Sequence, residues 1–395
     1  MIQNGYGRIV LTIAVMMLYS CSNVEKDLYS TLAQVKGTFV PDARTGIFDI
    51  VIKKKDGDYV LTGETDHPEA LQVLLDSLTQ RDIAVKNSVE LLPHQELGDE
   101  HWAFVNVSVC NLRKIPRHSA ELVTQGTLGS PVKVLKKKGS WFLVQTPDRY
   151  LGWVDSGGIV LYGKADFKSA LGRERIIFTG IYGFCLKNPE KESTSVSDLT
   201  SGNLLFLEEI FESYYKISYP DGRIGYVKQS EAEIFSEWLL KASFDAEKLT
   251  SMAFRYLGVP YLWGGTSAKG MDCSGFTKTV YFMNGWVLPR DASQQVQVGT
   301  LVDDKKAFNA LQKGDLLFFG QPETDSTRER VVHVGMWIGD MQFIHASGDV
   351  HVSSFDPASD LYDAYNLQRY LRTMRLAGTG LEPAWAVKER YFSLW

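Results

Sequence analysis

The run Met271-Asp272-Cys273-Ser274-Gly275-Phe276 puts a cysteine directly after a helix-capping residue type, ahead of apolar positions Phe276, Val280 and Tyr281 at helical spacing. A cysteine in the first turn of a helix lies among unpaired backbone N–H groups and at the positive end of the dipole. Both favour the thiolate, the species that attacks. Its base must come from elsewhere, and Val331-Val332-His333-Val334-Gly335-Met336-Trp337-Ile338-Gly339 supplies a candidate. Read as a strand, it carries His333, Gly335 and Trp337 on one face and Val332, Val334, Met336 and Ile338 on the other. Small Gly335 leaves room beside His333 for a substrate or a facing helix. A Gly339-Asp340 turn leads to a second strand, Met341-Gln342-Phe343-Ile344-His345-Ala346-Ser347, so the two pair as a hairpin and His345 can orient the His333 imidazole. Zinc would want four N/S ligands with close pairs such as C-x-x-C, which are absent, so neither a metal nor a cofactor is expected.

Further motifs flank this pair in order: Tyr261-Leu262-Trp263-Gly264-Gly265, Leu288-Pro289-Arg290-Asp291-Ala292-Ser293-Gln294-Gln295, Lys313-Gly314-Asp315-Leu316-Leu317-Phe318-Phe319 and His345-Ala346-Ser347. Together they resemble an NlpC-type papain-like cysteine peptidase over about 245–375. The resemblance implies an α+β domain with helices packed on an antiparallel sheet. It assigns Cys273 as nucleophile, His333 as base, His345 as third member and Tyr261 as a hydroxyl donor to the oxyanion.

Upstream, from about Trp102 to Gly158, short alternating strands at close spacing indicate a small barrel. Gly139-Ser140-Trp141 and Gly152-Trp153-Val154 within it resemble the bacterial SH3 domain. A weaker copy at about 168–235 has Tyr214 to Tyr219, a Pro220-Asp221-Gly222-Arg223 turn and Gly225-Tyr226-Val227, but lacks the Gly-x-Trp element. A helical linker, Glu231 to Lys241, leads to the peptidase-like module. Residues 22–101 hold a strand-like run at 47–52 and a helical pattern from Ala70 to Ser77, with no function assigned.

The chain has 395 residues and a formal net charge of −5, which suits two to four globular domains. Its short lysine runs, at 53–55 and 136–138, read as solvated turns, so no nucleic-acid partner is expected. Arg8 precedes an apolar run, 9–18, that is too short to span a bilayer but has the length of a signal-peptide core. Leu18-Tyr19-Ser20-Cys21 resembles a lipobox, in which Cys21 becomes the acylated anchor. The expectation is an exported protein held to an envelope membrane and facing the periplasm. Cys110 and Cys185 lie in apolar strand-like stretches and read as buried thiols, a disulfide between them remaining open.

An NlpC-type module behind bacterial SH3 domains resembles the γ-D-glutamyl-diamino-acid dipeptidyl peptidases. That resemblance implies cleavage between D-Glu and meso-diaminopimelate or L-Lys in peptidoglycan peptides with a free N-terminal L-Ala, in recycling or remodelling of wall peptides. It implies an amine cap of Glu121 and Tyr150 from the first barrel, with Asp272 and Ser274 beside the nucleophile. Ser293 and Arg290 would meet the γ-D-Glu carboxylate. The alternative is a peptidoglycan-binding SH3 module whose papain-like domain is inactive or transfers acyl groups.

Overall fold

The computed structural model describes residues 24–242, 244–376 and 385–393. The apolar run at 9–18 and Cys21 lie outside the described residues. The chain divides into two compact units, Met1–Glu96 and Leu97–Trp395.

In the first unit, helix α1 (24–39) and helix α2 (Pro68–Thr79) pack on a sheet ordered β1 (Phe48–Lys55), β2 (Asp58–Thr65), β3 (Val85–Leu91). α2 opens with Pro68, which needs no hydrogen-bond partner there, and buries Ala70, Leu71, Leu74 and Leu78 along one stripe. Asp56 and Gly57, with φ of 52° and 92°, form the two-residue reversal between β1 and β2.

The second unit begins with two barrels of one design. The first contains β4 (Trp102–Val105), β5 (Val109–Arg113), β6 (Leu122–Thr127), β7 (Pro131–Lys138), β8 (Trp141–Gln145), β9 (Leu151–Asp155) and β10 (Ile159–Tyr162). The second contains β11 (Arg175–Phe178), β12 (Tyr182–Leu186), β13 (Ser195–Thr200), β14 (Leu204–Phe211), β15 (Tyr214–Ser218), β16 (Ile224–Lys228) and β17 (Ala232–Ile234). Strand order runs β10-β4-β7-β8-β9-β5-β6 in one and β17-β11-β14-β15-β16-β12-β13 in the other, the same topology repeated. The first barrel therefore runs on to Tyr162, because β10 pairs with β4. Helix α3 (Lys164–Leu171) separates the two. The expected helical linker is half strand: Ala232–Ile234 closes the second barrel against β11, and only α4 (Phe235–Lys241) is helical. Cys110 and Cys185 sit as free thiols in the separate cores of the two barrels. Burial pushes their thiols up to about 12 and about 11.

The C-terminal domain packs α5 (Ala246–Phe254) and α6 (Cys273–Phe282) on a six-stranded sheet. Its order is β20 (Thr300–Asp303), β25 (Tyr370–Arg375), β21 (Leu316–Gln321), β22 (Arg330–Gly339), β23 (Gln342–Ser347), β24 (Asp349–Ser354). Phe276 and Val280 of α6 meet Val334 and Met336 of β22 in one core, while Trp337, Phe319 and Phe343 form a second core on the other face. A two-residue ribbon, β18 (Thr266–Ser267) with β19 (Gly270–Met271), delivers the chain to the head of α6. Helices α7 (Ala292–Gln295) and α8 (Ala364–Gln368) complete the elements around the site.

Candidate active site

Cys273 is the first residue of α6, with Asp272 as N-cap accepting from the Gly275 N–H at 2.8 Å. The backbone N–H groups of Val334 and Ser274 are directed at its sulfur, which places it against the strand that carries His333. The helix terminus alone favours a thiolate, but Cys273 is only 7% exposed. Burial, then the Asp272 charge, push the thiol up to about 12, with Val334, Arg290 and Ser274 opposing. In the substrate-free site desolvation therefore outweighs the helix terminus, and the sulfur holds its proton.

His333 is held neutral as well. Burial, then His345, Arg369 and His351, lower it well below the ordinary imidazole range. Its Nε2 lies 2.7 Å from His345 Nδ1, and His345 Nε2 lies 3.0 Å from the Ser353 hydroxyl. β22 pairs with β23 from Met336–Ile344 onward and Gly335 lies against His345, so His333 reaches His345 diagonally on one face. A Cβ on Gly335 would come within 2.9 Å of the Phe343 ring and 3.3 Å of His345 Cβ. The space expected there for substrate or a helix is thus filled by these two side chains. With His333 Nε2 engaged, Nδ1 is the ring nitrogen that carries no hydrogen bond among the described residues. For Nδ1 to accept a proton, His333 Nε2–H must donate to His345 and His345 Nε2–H to Ser353, an arrangement that the two contacts accommodate. Ser353 has no motif to announce it; its signal is the alternation along β24, which carries it to the His345 face.

Tyr261 leads into the loop before Cys273, its N–H bonded to the Gly348 carbonyl at 2.8 Å. Burial, then Cys273 and Asp272, raise its hydroxyl above the ordinary phenol range, so it stays a donor near the sulfur. At the first helical position, the Cys273 N–H has no carbonyl one turn back within α6.

Asp272 is more heavily used than an N-cap requires. Its Oδ1 accepts from Gly275 N, Arg290 Nη1 at 3.0 Å and Ser274 Oγ at 3.3 Å, and its Oδ2 from Gly264 N at 2.9 Å and Arg290 Nη2 at 2.6 Å. Arg290 is 1% exposed and also donates to Ser274 Oγ at 3.0 Å. Both residues face inward, onto each other, and brace the loop before the nucleophile.

The first barrel reaches the same region through two side chains. Glu121 Oε1 accepts from the Trp263 indole at 3.1 Å and its Oε2 from Lys114 at 3.2 Å; these bonds, Trp263 first, lower its carboxyl below the usual range. Tyr150 donates to Asp291 Oδ2 at 2.9 Å, at the N-cap of α7, the helix that carries half-buried Ser293. Three ties, none of them legible from motifs, hold barrel and peptidase-like domain together. Gln125 Oε1 accepts from Thr266 N at 2.9 Å and from Ser267 Oγ at 3.2 Å, and Asp148 forms a buried ion pair with Lys278 of α6. Lys269 meanwhile bonds Ser108 of the first barrel and pairs with Asp198 of the second. Among the described residues no three His, Cys, Asp or Glu side chains gather as a metal site.

Comparison with known proteins agrees with this architecture. The NlpC/P60 family model matches residues 258–375, and a bacterial dipeptidyl-peptidase SH3 domain model matches residues 112–159. A γ-D-glutamyl-L-lysine dipeptidyl-peptidase of Bacillus cereus is 30% identical over 262 residues, covering 64% of this chain and 76% of that protein. Dipeptidyl-peptidase 6 of Lysinibacillus sphaericus is 28% identical over 276 residues, covering 66% of this chain and 94% of that protein. The crystal structure of an NlpC/P60 family protein from Bacillus cereus superposes with a TM-score of 0.60 at 26% identity, covering 70% of this chain and 99% of that one. With a cysteine at the head of a helix, a paired-histidine hairpin beside it and an SH3 barrel against it, the chain belongs to the NlpC/P60 family.

Proposed function

We propose that this cysteine peptidase hydrolyses the bond between γ-D-Glu and a diamino acid in peptidoglycan peptides that begin with a free L-Ala. The observation that carries the reading is the relay His333–His345–Ser353 on the hairpin whose Val334 N–H is directed at the Cys273 sulfur, with Glu121 of the first barrel bonded to Trp263 in the loop before that cysteine. The similarity to dipeptidyl-peptidases, which extends through that barrel, favours hydrolysis over a purely wall-binding role.

In the resting site both partners are neutral. As Cys273 attacks the γ-carbonyl, its proton passes to His333 Nδ1, and the imidazolium that forms is oriented by His345. The oxyanion is held by the Cys273 N–H and the Tyr261 hydroxyl. Collapse expels the diamino acid, with His333 protonating its leaving nitrogen. His333 then takes a proton from water, which hydrolyses the γ-glutamyl thioester and releases L-Ala-D-Glu. Glu121 faces solvent at the rim and supplies negative charge for the substrate ammonium. Tyr150 and Ser293 frame the dipeptide, while Asp272, Arg290 and Ser274 brace the loop that carries the nucleophile. An N-acylated or muramyl-linked peptide lacks that ammonium, so released peptides in recycling are the favoured substrates.

Mass spectrometry of products from L-Ala-γ-D-Glu-diaminopimelate and its N-acetyl form tests the reading. Release of L-Ala-D-Glu from the free peptide alone supports both the peptidase and the cap. Cleavage of both removes the cap, and cleavage of neither, or no loss of turnover in Cys273→Ala, removes the peptidase assignment.

The lipobox-like Leu18-Tyr19-Ser20-Cys21 supports export and anchoring to an envelope membrane. Metabolic labelling with a fatty acid should mark the wild-type chain and not Cys21→Ala; label on neither removes the anchor.

A further inference from the structure

Proton delivery to the leaving nitrogen places the diamino acid on the His333 side of the scissile bond, opposite Glu121. Arg369 lies on that side, at the C-terminal end of α8. It stands over the Phe319 ring at 5.9 Å, and the His333 ring packs on the same phenylalanine at 5.6 Å between centroids. Its charge is felt at both histidines of the relay.

Arg369 is positioned with unusual care for a half-buried cation. Its Nε and Nη2 both donate to Asn366 Oδ1, at 2.9 and 2.8 Å, and its guanidinium stacks over Tyr365 at 4.4 Å. Asp363, the nearest acid in sequence, is occupied elsewhere: its carboxylate accepts from the Asn366 backbone and side-chain N–H groups. Among the described residues no carboxylate lies within 4.0 Å of Arg369, a feature it shares with Arg255, Arg328 and Arg330 of this domain but not with Arg290, Arg372 and Arg375. Its Nη1 carries no hydrogen bond among the described residues. A planar donor set held rigid on two sides, with one edge open and its charge uncompensated, is the form of a carboxylate receptor.

We propose that Arg369 binds a carboxylate of the leaving diamino acid. This rests on the peptidase reading above and adds what that reading leaves open, namely how the far side of the substrate is recognised. Two carboxylates have this chemistry: the α-carboxylate of a C-terminal diamino acid, and the additional carboxylate on the side chain of meso-diaminopimelate. Either would set the leaving amine beside His333, and recognition of the α-carboxylate would also favour peptides that end at the diamino acid, since a following residue takes that carboxyl into an amide.

The experiment compares kcat/KM of the full chain on three peptides: L-Ala-γ-D-Glu-L-Lys, its C-terminal carboxamide, and L-Ala-γ-D-Glu-meso-diaminopimelate with the α-carboxyl amidated. Recognition of the α-carboxylate makes the first better than the second by about ten- to a hundredfold, the range of a charge-assisted bond. Recognition of the side-chain carboxylate makes the third better than the second by a similar factor. Arg369→Gln should erase whichever preference exists while leaving turnover of the carboxamide within about twofold, and Arg369→Lys should restore part of it. A wild type that treats all three alike overturns the inference without touching the peptidase reading, and needs no variant to fold. An Arg369→Gln that lowers all three equally also overturns it, since that is what purely electrostatic tuning of His333 would do. Cleavage of none by the wild type removes the peptidase reading and this inference together.

Discussion

The Asp272–Arg290 pair makes a stability prediction whose sign depends on which partner is removed. Both side chains are nearly inaccessible, at 8% and 1% exposure. Removing one member of such a pair costs about 3–5 kcal/mol, because the other is left charged in a low-dielectric site. The two residues are not equally dependent on each other. Arg290→Met leaves the Asp272 carboxylate with the Gly264 and Gly275 N–H groups and the Ser274 hydroxyl, so the cost falls near 3 kcal/mol. Asp272→Asn keeps an oxygen for the cap but strands a guanidinium whose remaining anchor is Ser274 Oγ and whose Nε has no hydrogen-bond partner among the described residues. That cost falls near 5 kcal/mol. The double variant should be less destabilised than the sum, with a coupling of about 2–3 kcal/mol.

The measurement is selective because all nine tryptophans lie at or beyond position 102. Urea unfolding followed by tryptophan fluorescence therefore reports on residues 97–395 and is blind to the first unit. With a slope of about 3 kcal/mol per molar urea, Arg290→Met lowers the midpoint by about 1 M and Asp272→Asn by more. A shift under about 0.3 M for either, or a milder effect for Asp272→Asn than for Arg290→Met, would refute the reasoning about stranded charge.

Other outcomes follow from the same geometry. Glu121→Gln keeps an acceptor for Trp263 but removes the charge, so kcat/KM on the free-amine peptide should drop about ten- to a hundredfold, against no change on the N-acetyl form. Tyr261→Phe should lower kcat by about tenfold with KM nearly constant, as befits a donor used at the transition state; a change confined to KM contradicts that role. His345 is pushed down to about 3 and His333 lies well below its usual range, so between there and pH 6.5 the unfolded chain binds protons that the folded chain refuses. Their contribution is complete above pH 6.5 and is lost as pH falls towards 3, with a slope approaching about 2.7 kcal/mol per pH unit for two protons. In His345→Asn that slope should fall by about half, and an unchanged slope between pH 4 and 6 counts against neutral burial of His345. Lys278→Met strands buried Asp148 and loosens the 146–150 loop, so selectivity for free over acetylated peptide should fall more than kcat does; an equal loss in both argues for general disruption.

What could be read from the chain in advance was the chemistry that depends on residue type and local order. Asp272-Cys273 before an apolar helical stripe, and His333 and His345 at matching places on a hairpin, need no knowledge of distant contacts. The same holds for the first barrel, where the Trp141 and Trp153 strands pair as the motifs imply, Leu143 opposite Trp153. The second barrel was harder because its topology is repeated while its marker tryptophan is not, and because Ala232–Ile234, lying directly before α4, reads as part of a helix. An arginine beside an active-site motif reads as available to substrate until the fold brings Asp272 across eighteen positions to pair with it.

Glu121 lies in the first barrel, 152 positions before the nucleophile, yet two adjacent features keep it at the site. Its carboxylate is held by Trp263, and a Cβ on Gly264 would come within 2.3 Å of the Leu122 carbonyl, so barrel strand β6 abuts the loop leading to Cys273. On the other flank, Asp148 is fastened to Lys278, which belongs to α6, and Tyr150 of the same loop reaches Asp291. The nucleophile, its cap Asp272 and the latch Lys278 thus share one stretch of backbone, and the barrel is tied to that stretch from two sides. Such a frame fixes the distance between the Glu121 carboxylate and the sulfur, and under the proposed amine cap a fixed distance is what a peptidase needs in order to count two residues from a free terminus before it cuts.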